Sequence, residues 1–125
     1  MFRRVVPDLL IALTCLVVLV PTPARAEAPD TVFLEELTWT EVRDAIRAGK
    51  TTIIIPAGGT EQNGPHMALG KHNARVKILS ERIARGLGDA LVAPVIAYVP
   101  EGAIAPPTGH MRYPGTITTP DDAFQ

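Results

Sequence analysis

Glu61, His66 and His72 place one carboxylate and two imidazoles within the run Pro56-Ala57-Gly58-Gly59-Thr60-Glu61-Gln62-Asn63-Gly64-Pro65-His66-Met67-Ala68-Leu69-Gly70-Lys71-His72. These are the ligand types of zinc, manganese and similar divalent ions. An imidazole also suits proton transfer near neutral pH, which makes His66 a candidate acid–base group. Spacing alone leaves two readings open. No helical i, i+4 histidine pair is present, and a loop ordered by side-chain-to-backbone hydrogen bonds would use the same residues. The glycines permit tight turns and close backbone approach to a ligand, but form neither a phosphate-binding nor a dinucleotide fingerprint. His110 stands alone in a second loop, Pro100 to Gly115. By itself it reads as a surface or hydrogen-bonding histidine.

The elements around these loops must hold them in place. Thr38, followed three residues later by Glu41, is a capping box that starts a helix, with Leu37 and Val42 placed as a hydrophobic staple. Trp39, Val42 and Ile46 recur at helical spacing, and Gly49 marks the end. Thr51 to Pro56 is a continuous β-branched run of the kind buried on both faces of a sheet. The spacing of Val76, Leu79, Ile83 and Leu87 predicts a second helix over about 73–87, this stripe inward and Gly88 as the stop. Leu91 to Val99 reads as a second strand, with Pro94 at an edge, a start or a bulge. Helix, strand, helix, strand is the alternation of an α/β protein with a mostly parallel sheet. In such sheets ligands bind beyond the carboxyl ends of the strands, where the Glu61 loop begins.

The first residues follow another logic. Met1-Phe2-Arg3-Arg4 is basic, Leu9 to Val20 is apolar, and Pro21 to Ala26 ends in a small-x-small pattern. This is the plan of a cleavable signal peptide, residues 1–26, with cleavage after Ala26 and a periplasmic or secreted product. A membrane span needs about 20 apolar residues, more than this run supplies before Pro21. Cys15, the one cysteine, falls inside the apolar run, so the exported chain lacks disulfides and thiolate ligands. Residues 27–125 form one domain portion. A net charge of -1 gives no reason to expect nucleic acid or an anionic membrane as partner. Thr119-Pro120-Asp121-Asp122 opens a further helix just before Gln125. The expectation is a domain continuing beyond this chain, and residues 27–125 alone should fold poorly, with apolar surface and a strand edge uncovered.

With these motifs in place, the sequence resembles the creatininase family. The family's signature after its first core strand is Glu-Gln-His-Gly-x-His, then an Asp, with a later Pro-Gly-Thr-Ile ahead of a helix. Here the positions read Glu61-Gln62-Asn63-Gly64-Pro65-His66, then His72, and Pro114-Gly115-Thr116-Ile117. The resemblance covers nearly all of Val32 to Gln125.

The resemblance implies a three-layer α/β/α fold with a mostly parallel sheet, incomplete in this chain. It also implies a metal-dependent amidohydrolase, a homo-oligomer when complete, that acts on a small molecule at an amide or cyclic amide. The family's metal positions fall on Glu61, Asn63 and His72, and the cofactor would be zinc or manganese. Asn63 stands where the family has His, and His72 where it has a bridging Asp. An amide carbonyl is a weaker ligand than imidazole, and a neutral imidazole cannot bridge two cations. A single ion at Glu61 and His72 is the version expected here, with His66 catalytic and His110 contacting substrate. The alternative is a non-catalytic periplasmic binding protein that retains the fold.

Overall fold

The computed structural model describes residues 29–125; the expected signal segment 1–26 and its cleavage site lie outside them. Helix α1, Trp39–Arg47, begins at the expected capping box. The Thr38 N–H donates to Glu41 Oε2 at 2.7 Å, and the Glu41 N–H donates to Thr38 Oγ1 at 3.4 Å. Strand β1, Thr52–Ile54, follows, then helix α2, Lys71–Leu87, strand β2, Ala90–Val92, and a short helix α3, Asp121–Phe124. One-turn 3-10 helices lie at Leu34–Glu36 and Gly109–Arg112. Gly88 ends α2 in the left-handed conformation, φ 82°, where a side chain would be strained.

β1 and β2 pair in parallel, Ile53 opposite Leu91, joined by a crossover that contains α2. On its other side β2 meets the segment before α1: Phe33 bridges Val92, and the Val92 N–H donates to the Val32 carbonyl at 2.8 Å. β2 is therefore interior and buried throughout. The pairing resumes past Pro94, where Ala57 bridges Ile96. The expected long strand over 91–99 is thus a short one plus isolated bridges, because Pro94 cannot donate to a ladder.

The core is small. Val32, Phe33, Ala84, Ala90 and Val92 form it, with Ile54 packed against them. Each fully buried Val contributes about 1.5–3 kcal/mol. Ser80 and Ala84 are the buried residues of α2, and these small side chains let the helix lie close on β2. That corrects the expected stripe: Leu79, Ile83 and Leu87 are exposed instead. β1 likewise is not covered on both faces, since Ile53 is 50% exposed, and Ile55 just past its end is 63% exposed. Half or more of each of these side chains stays uncovered, because a two-stranded sheet packed on one helix buries mainly one face. α3 begins one residue later than predicted, with Pro120 as its cap in extended backbone. No helix among the described residues is long and apolar enough to cross a membrane.

Candidate functional site

Past the carboxyl ends of β1 and β2, the two loops predicted to carry chemistry fold onto each other. Thr60 bridges Ile117 in antiparallel fashion, and Val99 bridges Thr118 in parallel. The Gln62 N–H donates to Thr116 Oγ1 at 3.2 Å and the Ile117 N–H to the Thr60 carbonyl at 2.9 Å, so the Thr-Ile pair of the later motif is clamped to Thr60 and Gln62, on either side of Glu61. Asn73, in the first turn of α2, accepts from the Gly59 N–H at 2.9 Å and donates to Thr60 Oγ1 at 3.1 Å. Gly58 packs against the Asn73 side chain so closely that a Cβ there would overlap Oδ1.

Glu61 is the hub of the assembly, its side chain only 12% exposed. Its Oε1 lies 2.9 Å from His72 Nε2 and its Oε2 lies 3.2 Å from His110 Nδ1. Asn63 Nδ2 donates to Glu61 Oε1 at 3.1 Å. Two of the residues expected at family metal positions therefore surround the third, and His110 joins them from the second loop. His72 reaches this point because α2 starts at Lys71, two residues earlier than predicted. His66 sits exposed in the intervening turn, its ring over Gly64.

Sequence reasoning missed Glu101. One oxygen each from Glu61 and Glu101 and one ring nitrogen of His110 all lie within 4.8 Å of one another, the spacing of groups able to hold a metal ion. Glu101 is held by its N–H donating to Thr118 Oγ1 at 2.9 Å and by its carbonyl accepting from the His110 N–H at 3.2 Å. A signal existed in the sequence: a carboxylate directly after the second predicted strand occupies the end where α/β sheets place their ligands.

The electrostatics follow from crowding. Burial pushes the Glu61 pKa up, but hydrogen bonds from Glu101 and Asn63, the charge of His110 and a hydrogen bond from His72 outweigh it, and the net shift is downward. Burial, then the hydrogen bond to Glu61 and repulsion by its charge, push Glu101 up to about 7 against the opposing pull of His110. Two carboxyl groups so close cannot both ionise easily, so one keeps its proton. A groove of about 570 Å³ beneath α1, lined by Leu37, Thr40, Asp44, Ala48 and Leu91 among others, contains none of these groups. The clustered titratable side chains, not that concavity, define the site.

Parallel strands whose carboxyl ends carry a carboxylate–imidazole cluster place this chain among α/β proteins with hydrolase-like sites. The creatininase family profile, described as creatinine amidohydrolase, matches residues 35–125. The chain belongs to the creatininase family. It is 29% identical to 3-dehydro-scyllo-inosose hydrolase of Thermotoga maritima over 99 residues, 78% of this chain and 29% of that protein. It is 36% identical over 67 residues to creatinine amidohydrolase of Pseudomonas putida, 54% of this chain and 25% of that enzyme. A solved mutant creatininase of Zn-Zn type superimposes with a TM-score of 0.62 at 31% identity, over 73% of this chain and 34% of that one. The chain thus spans about a third or less of the length of these relatives.

Proposed function

We propose that the protein carrying this chain is an exported, metal-dependent hydrolase that cleaves a carbon–nitrogen bond in a small amide or cyclic amide. The observation that carries the reading is the Glu61 carboxylate shared between His72 and His110, beyond the strand ends of a creatininase-family chain. Zinc–zinc occupancy of a solved relative supports a divalent ion. The family's pair of ions does not fit these residues well. Asn63 turns an N–H toward Glu61, and His72 replaces the carboxylate that would bridge two cations. The cluster does fit one ion, since it offers carboxylate oxygens and imidazole nitrogens together.

A divalent ion at this cluster would supply Lewis acidity toward an amide carbonyl and acidify a water. The chain's own residues do the rest. Glu61 holds negative charge at the centre, kept ionised by its neighbours. The clamp from Thr116 and Asn73 fixes that carboxylate before substrate arrives. Glu101 keeps a proton near neutral pH when no ion is bound and gives it up where it joins Glu61 and His110 around one. In this reading His66, exposed in the turn before α2, orients substrate or carries protons at the entrance. His110 doubles as a substrate contact. The complete protein is a homo-oligomer, and it reaches the periplasm or the exterior through residues 1–26.

The experiment is metal analysis of the exported full-length protein together with turnover of a panel of lactams and amides. Stoichiometric zinc or manganese with metal-dependent cleavage supports the proposal. A metal-free protein that binds a small amide without cleaving it supports a second reading, a periplasmic binding protein, which Asn63 and His72 at family ligand positions favour.

A further inference from the structure

Resting on the reading that one divalent ion belongs at this site, we infer that its ligands are Glu61, Glu101 and His110. The centre has moved toward the second loop, and His72 is the residue that orients Glu61. The family positions of Asn63 and His72 would place the ion on the first loop, but the side chains there are already engaged: Asn63 donates to Glu61 Oε1, and His72 Nε2 lies 2.9 Å from that same oxygen. The opposite oxygen, Oε2, faces the second loop, 3.2 Å from His110 Nδ1. Glu101 completes a three-sided arrangement whose donor atoms all lie within 4.8 Å of one another. Three donors of this kind leave coordination positions open for water and substrate, as catalytic sites require.

The second loop is built to hold this geometry. Within it, Ala103 and Thr108 are tied together by the Thr108 N–H to the Ala103 carbonyl at 3.0 Å and the Ala103 N–H to Thr108 Oγ1 at 2.8 Å. The His110 N–H donates to the Glu101 carbonyl, so the two new ligands are fixed relative to each other by backbone. Gly59 clears the space Glu101 enters: with φ at 148°, a Cβ there would stand 2.7 Å from Glu101 Oε1. Gln62 offers its carbonyl to His110 Nδ1 at 3.1 Å, so an ion at Nδ1 displaces one weak hydrogen bond. His72 on the other Glu61 oxygen is the outer partner that such ligands generally carry.

The test uses the full-length protein with ¹⁵N-labelled histidine, titrated with zinc, beside zinc affinities of Glu101→Gln, His110→Gln and His72→Gln by chelator competition. Zinc should shift the His110 ring-nitrogen signals strongly, His72 weakly and His66 not at all. Glu101→Gln and His110→Gln should each weaken zinc by more than about 100-fold, and His72→Gln by about 10-fold, the size of an orienting partner's loss. The unmutated titration keeps the result readable if a variant misfolds. A strongly shifted His72 with an unmoved His110, and wild-type affinity in Glu101→Gln and His110→Gln, would overturn this ligand set and leave the hydrolase reading standing. An unmutated protein that takes up no zinc would overturn both.

Discussion

Glu61 and Glu101 come from different loops and meet carboxyl to carboxyl, one held below the ordinary carboxylate range and the other raised to about 7. They behave as an acid pair sharing one proton, and the sharing depends on the Gly59 backbone that leaves room for Glu101.

Metal-free protein should show this pair in its stability. The raised Glu101 binds more protons folded than unfolded, so its contribution is full below about 4.5 and declines as pH rises toward 7. Glu61, lowered, acts in the opposite direction, with stability present above its unfolded value and lost in acid. Urea midpoints from pH 5 to 8 should fall in the wild type. In Glu101→Gln, which fixes the neutral form, that fall should be smaller.

Gly59→Ala should disturb the site more than the fold. The new Cβ strains a φ of 148° and meets Glu101 Oε1, at a cost of about 1–3 kcal/mol. Zinc affinity should drop together with the thermal midpoint. Gly58→Ala overlaps Asn73 Oδ1, and moving that oxygen away breaks its bond from the Gly59 N–H, so it should destabilise by a comparable amount.

The clamp between the motifs is testable apart from chemistry. Thr116→Val leaves the Gln62 N–H without its acceptor and should cost about 1 kcal/mol in urea unfolding. Thr38→Ala removes the α1 capping box at a similar cost, about 1 kcal/mol, but should leave zinc affinity unchanged.

Residues 27–125 expressed alone should expose Ile53, Ile55, Ile83 and Leu87 to water. Such surface is sticky. Strong binding of a hydrophobic dye and association in light scattering are expected; a soluble monomer with one sharp thermal transition would contradict this.

Export has a direct readout. Mass spectrometry of the protein recovered from periplasm or medium should find Glu27 as the first residue; a product retaining Met1 would contradict the signal-peptide reading.

Local chemistry was legible from the residues in order. Thr38 and Glu41 announce a capping box because both partners lie within one turn, and Gly88 announces a helix end because a glycine takes the left-handed conformation freely. The Glu61 loop stood out because a carboxylate and imidazoles cluster within a few residues of a strand end. The creatininase resemblance rested on the same short motifs. What the order of residues did not disclose is long-range. Which face of α2 is buried was decided by how closely β2 approaches, and that selected Ser80 and Ala84 over the larger Leu79 and Ile83. Glu101 belongs to the site only because the bridges Thr60 to Ile117 and Val99 to Thr118 fold the second loop onto the first. The sequence by itself determined α1, the body of α2, β1 and the loop that carries Glu61, since hydrogen-bond caps, backbone freedom and side-chain period act between near neighbours. Only the tertiary structure decided that Glu61 is shared by His72 and His110 and coupled to Glu101, since charge and proton affinity depend on distance in space, and pairing of the strands sets those distances.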